Sequence, residues 1–270
     1  MYLKRWLTAL VLIPPFILVI LKGSQLLFTF VLVVVATVCL WEYLRITYSA
    51  HEPAVPKIYH GWGYLLGALV LYCAYQQSYI GVMVVLAMNL IGAAFMSIFR
   101  FKDNQDAPTV AIKQIFGILY IPFSISFIIM LRATPDGPYW VLFLFWVVAW
   151  GDTGALYVGS LFGRHKLCAA VSPKKTIEGA FGGLAANLIF AWLYKLLFFN
   201  AMNSITCTVF ALMVGAAGQI GDLFESEFKR AAGVKDSSAL LPGHGGLLDR
   251  LDAMLLAAPV AFLLKEYLLP

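Results

Sequence analysis

The sequence predicts an all-α, polytopic helical integral membrane protein with about nine membrane-spanning helices, and three observations lead there. Of its 270 residues, 61% are hydrophobic and only 12% are charged, which is too apolar for an ordinary soluble domain. Runs of about twenty apolar residues recur along the whole chain, each long enough to cross a bilayer as a helix. The basic residues also fall unequally into alternate loops, the bias that orients membrane proteins.

Taken in order, the candidate spans cover roughly 6–21, 26–44, 61–76, 79–99, 112–131, 139–158, 177–199, 204–221 and 253–269. The first, preceded by Lys4 and Arg5, resembles a signal peptide, but no small-residue cleavage pattern follows, so it reads as an uncleaved helix. The third is glycine-rich and weak, and the sixth is broken by Asp152. No stretch between spans is long enough to fold alone. Residues 1–138 and 139–270 therefore read as two sets of helices in one continuous membrane domain, the second carrying the chemistry.

With the N-terminus in the cytoplasm, that side carries Lys4, Arg5, Arg45, Lys57, Arg100, Lys102, Lys113, Arg164, Lys166, Lys174, Lys175, Lys229, Arg230, Lys235 and Arg250. The far side keeps Lys22 and Arg132, with Lys195 and Lys265 near helix ends where they can snorkel. The net charge of +5 thus marks a membrane surface, and no nucleic-acid partner is expected. The four cysteines, Cys39, Cys73, Cys168 and Cys207, have no pair spacing and read as free.

The first half offers little chemistry. Glu42 and Arg45 are expected to pair at the membrane interface, and His51 and His60 to be solvated loop residues. Pro14, Pro15 and Pro122 are expected to kink helices or mark their first turns.

The second half is different. From Asp222 to Asp252, thirty-one residues hold six acids and four bases, a density that a membrane protein keeps where charge has a function. Along a helix continuing past the membrane face, steps of about 100° place Asp222, Glu225, Ser226 and Lys229 on one stripe, with Leu223, Phe224 and Phe228 elsewhere. Lys235, Asp236 and two serines begin a loop that ends at Gly243, His244, Gly245 and Gly246, where missing side chains let backbone approach a ligand closely. Asp249 and Asp252, with Arg250 between them, open the last helix, and carboxylates three apart share a face suited to a divalent cation.

Two further features lie upstream. Asp152 sits inside the sixth span, either as an interhelical hydrogen-bonding residue or partner of Arg250 or Lys174, or as a ligand of a cation site. Glycines 151, 154, 159 and 163 permit close helix packing. The loop from Gly163 to Gly179 carries a local charge of +3. Its Ser172, Pro173, Lys174, Lys175 and Thr176 immediately precede a helix, a plausible phosphate cradle. No Walker-type or dinucleotide-binding glycine motif occurs.

The run Ser226, Phe228, Lys229, Arg230, Lys235, Asp236, Ser238, Leu241, Pro242, His244, Gly245, Gly246, Leu247, Asp249, Arg250, Leu251 and Asp252 resembles, without departure, the signature of phosphatidate cytidylyltransferases, also called CDP-diacylglycerol synthases. The segments at Asp152 and from Ser172 to Gly179 resemble the same family, with Ile177 where tryptophan is expected. This resemblance implies transfer of CMP from CTP to phosphatidic acid with Mg²⁺, and a monovalent cation such as K⁺ beside it. It also implies a homodimer; a bacterial source would make the membrane the inner membrane, and the bias of basic residues turns the site to the cytoplasm.

On that footing Asp222 and Asp249 would hold Mg²⁺, completed by Asp252, Glu225 or Asp152. Lys174, Lys175, Lys229 and Arg230 would neutralise phosphates. Ser172, Thr176, Ser226, Lys235, Asp236, His244, Gly245, Gly246 and Arg250 would contact substrate. The rival readings are a related CTP-dependent enzyme on another lipid, of the CDP-archaeol synthase or polyprenol kinase type, and, from a different class, a transporter. The latter should show broken helices at mid-membrane and internal symmetry, and neither is evident. A membrane scaffold would leave the charged run unexplained.

Overall fold

A computed structural model of the chain describes residues 14–48, 57–200, 202–241, 243 and 245–268. His51, His244 and the start of the first expected span lie outside them. After a helical stretch over 14–22 come nine named helices: α1 (Gln25–Thr47), α2 (Lys57–Tyr75), α3 (Tyr79–Arg100), α4 (Ala107–Ile118), α5 (Ser124–Ala133), α6 (Gly137–Phe162), α7 (Ile177–Phe198), α8 (Ser204–Ala231) and α9 (Leu248–Leu263). One antiparallel hairpin, β1 (Lys166–Cys168) with β2 (Ser172–Thr176), interrupts the helices, pairing Lys166 with Thr176 and Cys168 with Ser172. Among the described residues, six segments are long and apolar enough to cross a membrane: α1, α3, the continuous run Ala107–Ala133, α6, α7 and α8. Large apolar side chains such as Phe30, Ile80, Ile91, Leu161 and Phe181 stand exposed on them, as side chains facing lipid do.

The chain divides into two compact units. The first comprises 1–130 and 232–250, the second 131–231 and 251–270.

In the first unit, Ser24 and Ser78 cap α1 and α3 by accepting the amides of Leu27 and Gly81, each meeting one otherwise unbonded helix-start donor. Pro122 has no amide hydrogen to give, and the helix opens there into a π-turn over Leu119–Phe123. Buried polar groups pair inside the unit. Gln114 donates to Asn89 at 2.9 Å, and the Lys113 ammonium reaches the Thr47 carbonyl at 2.8 Å. His60 lies within α2, half-buried, with its ring edge-on to Tyr48. It is a packing residue rather than the solvated loop residue expected.

In the second unit, small residues let α6, α7 and α8 approach closely. The side chain of Asn187 on α7 fills the space where a Cβ at Gly151 or Gly215 would sit, and Ala186 does the same opposite Gly154. Trp150 stacks on Phe190 with centroids 3.7 Å apart. This is the small-residue packing expected inside membranes. Helix α6 runs unbroken through Asp152 to Phe162, so that residue does not break the span. One exposed carboxylate on a long apolar helix removes no backbone hydrogen bond, and the helix continues. The four cysteines are free.

Candidate active site

In the second unit, α8 does continue as one helix to Ala231, and its polar stripe forms as the 100° spacing predicts. Lys175, brought by β2, pairs with Asp222 at 2.6 Å, both half-buried. Lys229 pairs with Glu225 one turn earlier on α8, and the Glu225 carboxylate is fully buried. Phe224 and Phe228 pack edge-to-face on another side. The neighbouring Arg230 uses its Nε to donate to the Val171 carbonyl in the hairpin turn, 3.2 Å away.

Asp252, in the second turn of α9, completes a group of like charges. The charges of Asp222, Asp152 and Lys229 act on it, and one of its oxygens accepts the Ala253 amide at 2.7 Å. Asp152 itself is exposed on α6.

The basic loop is a hairpin rather than an open cradle. Ser172, Lys174 and Lys175 all lie on β2, with Lys174 exposed. Thr176, buried, caps α7 by accepting the Gly179 amide at 3.1 Å. Glu178 in the first turn of α7 accepts from the amides of Arg164 and His165 and meets His165 Nδ1 at 2.6 Å. The motif does immediately precede a helix, as expected: α7 begins at Ile177, directly after the Thr176 cap.

In the first unit, the loop after α8 is built around two carboxylates. Asp249, near the start of α9, accepts the Gly246 amide at 2.7 Å and the Ser237 amide and hydroxyl at 3.0 and 3.1 Å. The Gly246 contact is a reach-back of the capping-box kind, in which an acid in the first turn holds an amide before the helix. Gly243 and Gly245 have φ of 80° and 81°, the left-handed region that glycine adopts without strain. Leu241 and Gly245 close the turn by a backbone hydrogen bond of 2.9 Å. Lys235, Asp236 and Arg250 are exposed, and Gly246 is buried.

The second carboxylate is Glu42, which sequence reasoning assigned to Arg45. It is fully buried. Its two oxygens accept from Ser238 and Ser237 hydroxyls and from the amides of Leu247 and Leu248, the latter pair at 3.0 and 2.6 Å. Arg45 is exposed instead, its guanidinium over the Trp41 ring. A carboxylate with backbone and hydroxyl donors available at a helix start has no need of an interfacial arginine. The only sequence signal was an acid inside an apolar run, and its partners lie some two hundred positions away.

Among the described residues no three His, Cys, Asp or Glu side chains are gathered closely enough to hold a metal ion. The donor chemistry in the second unit nevertheless suits a hard divalent cation. Oxygen ligands are present, and Asp252 sits among like charges that a cation would relieve.

Comparison with known proteins identifies similar chains. The chain is 32% identical over 260 residues to a phosphatidate cytidylyltransferase of Staphylococcus epidermidis, covering 95% of this chain and 96% of that one. It is 34% identical to one of Staphylococcus aureus over the same length and shares, and 33% identical over 257 residues to one of Staphylococcus saprophyticus, again covering 95% and 96%. The profile of the Cytidylyltransferase family matches residues 3–268, so the charged hairpin, the stripe on α8 and the glycine turn before α9 all fall within its length, and the chain belongs to that family.

Proposed function

We infer that the protein transfers CMP from CTP to phosphatidic acid, giving CDP-diacylglycerol and pyrophosphate in phospholipid biosynthesis. The observation that carries the reading is the pairing of Lys175 with Asp222 beside Asp252, within a family-length match.

The reaction needs little proton abstraction. A phosphate monoester has its second pKa near 6, so the lipid phosphate is largely a dianion at neutral pH. Its oxygen forms a bond to the α-phosphorus of CTP, the bond from that phosphorus to the bridging oxygen breaks, and pyrophosphate leaves with the electron pair. Repulsion between two polyanions is the larger obstacle. Two unit charges about 4 Å apart interact by about 1 kcal/mol in water and roughly 4 kcal/mol at an effective dielectric near 20. Positioned cations therefore dominate, as in phosphoryl transfer generally.

In this reading Lys174 and Lys175 present positive charge from the hairpin, and Lys229 and Arg230 from α8. Ser172 and Ser226 offer hydroxyls. Lys235, Asp236, His244, Gly245, Gly246 and Arg250 would contact the nucleotide. Asp222 and Asp252, with Asp152, would hold Mg²⁺, which when bound supplies positive charge beside the triphosphate. The first helix, α2 and α9 cross the bilayer with the six long apolar segments, giving nine spans. The bias of basic residues supports a site on the cytoplasmic side, and the proposed membrane is a bacterial inner membrane. K⁺ beside Mg²⁺ and assembly as a homodimer belong to the same proposal.

The test is transfer of label from radioactive CTP into lipid with phosphatidic acid in detergent micelles, with Mg²⁺ and then with EDTA. Mg²⁺-dependent lipid label is expected. Label only with another lipid acceptor would move the substrate, and no label with any lipid would overturn the reading.

A further inference from the structure

The site residues read from sequence all lie in the second half of the chain, yet the best-satisfied polar group in the first unit is Glu42, from the first half. Its environment is unusual. A fully buried carboxylate is costly unless donors surround it, and here two hydroxyls and two amides do so: Ser238 and Leu247 on one oxygen, Ser237 and Leu248 on the other. The two amides belong to the start of α9, where helix donors have no partner within the helix and negative charge is favoured. The two hydroxyls belong to the opposite end of the same loop. Glu42 thus ties both ends of the segment 237–248 to one point on α1.

Asp249 holds the same segment from its own helix start, through the Gly246 amide and the Ser237 amide and hydroxyl. Among its described residues before α9, regular structure is limited to the Leu241–Gly245 bridge. Ser237 links its two carboxylates, lying 3.3 Å from Glu42 and 3.1 Å from Asp249. A hydroxyl has one proton, so it donates to one of them at a time. Gly246 passes so close that a Cβ there would meet both Ser237 and Glu42, which makes the glycine a packing requirement of the clamp.

We propose that Glu42 is the positioning residue of the nucleotide-receiving turn: it does not touch substrate, but fixes the glycine turn and the start of α9 in the geometry that accepts CTP. This rests on the function inferred above. It is specific in kind, because a clamp on the nucleotide turn acts on CTP and not on the lipid acceptor.

The experiment compares wild type with Glu42→Gln in detergent, reading KM for CTP and for phosphatidic acid separately, and hydrogen exchange of peptides covering 236–248. Glutamine keeps the shape but turns an NH₂ toward two of the four donors. KM for CTP should rise about tenfold, the effect of leaving one buried donor unmet, while KM for phosphatidic acid stays unchanged. The 236–248 peptides should exchange faster, with α6 and α7 unaltered. A purely structural role predicts a smaller folded fraction, with both KM values and the loop exchange of the folded molecules as in wild type, and that result overturns the proposal. Should Glu42→Gln fail to fold, Ser238→Ala decides. It removes one donor and keeps the carboxylate, so KM for CTP should rise about fivefold, and an unchanged KM with unchanged loop exchange overturns the proposal. A wild type without CTP-dependent product would fail the functional inference instead, and the exchange comparison would still read the clamp.

Discussion

Two carboxylate centres, one in each unit, are built on opposite plans. Around Glu42 every donor is supplied by the protein: two hydroxyls and two amides converge on a single buried acid. Around Asp222 and Asp252 like charges gather, offset by Lys175, Lys229 and a single amide, that of Ala253. The first arrangement is complete without a ligand and is suited to holding backbone in place. The second stores repulsion that a cation or a substrate contact can relieve. Buried acids in a membrane protein therefore do not share one role. The source of the compensating positive charge or hydrogen bond separates framework from chemistry.

The sharpest way to break this contrast is to remove a charge from the second centre. Asp222→Asn and Asp252→Asn should each lower turnover about a thousandfold, ~4 kcal/mol of transition-state stabilisation at 1.36 kcal/mol per tenfold, while the protein stays folded. Mg²⁺ at about a hundred times its dissociation constant should stabilise wild type by about 2.7 kcal/mol and should not stabilise either variant. Thermal unfolding with and without Mg²⁺, beside the label-transfer assay, checks both statements. Near-normal turnover in Asp222→Asn would remove it from the chemistry, and an equal Mg²⁺ shift in all three proteins would place the cation elsewhere.

Lys229 tests whether the two plans can coexist in one residue pair. It faces the fully buried Glu225, and stripping a buried acid of its partner costs about 3–5 kcal/mol. Lys229→Met should therefore unfold at distinctly lower temperature. Adding Glu225→Gln removes the uncompensated charge and should restore most of the lost stability. If Lys229 also meets phosphate, turnover of the double variant remains low although its unfolding temperature recovers. Recovery of both would make the pair a framework element and take Lys229 and Glu225 out of the site.

The difference in legibility between the two centres has a physical basis. Membrane helices declare themselves through length and apolarity, so α1, α3 and α6 to α8 could be read directly. The stripe on α8 follows from helical spacing alone, since Glu225 and Lys229 are one turn apart. Long-range partners leave no such trace. Glu42 was assigned to Arg45 because three residues along a helix is a local pattern, whereas the serines and amides that bind it are brought by the fold. Asp249 was legible as an acid at a helix start, but its engagement with Gly246 and Ser237 depends on a glycine turn whose conformation the sequence only permits. Ser172 to Thr176 showed the same limit: the basic charge and the following helix were evident, while the strand pairing with Lys166–Cys168 depended on a partner outside the motif.

Glu178 offers the smallest and most discriminating change, because it lies between the two plans. It is a carboxylate satisfied by protein donors, as Glu42 is, yet it anchors the hairpin that delivers Lys174 and Lys175. Its oxygens accept from the Arg164 and His165 amides and contact the His165 ring, while the Ile177 amide bonds the His165 carbonyl at 2.9 Å. That backbone bond and the hold of Arg230 on Val171 keep the hairpin closed without Glu178. These contacts are open to solvent, where a lost hydrogen bond is replaced by water at small cost. Glu178→Gln should thus reduce kcat/KM no more than about fivefold, with little change in unfolding temperature, and Lys175→Ala should cost clearly more. If Glu178→Gln instead matches Lys175→Ala, the lysine acts only from a rigidly placed hairpin, and the chemistry of the second centre depends on framework as much as the turn held by Glu42 does.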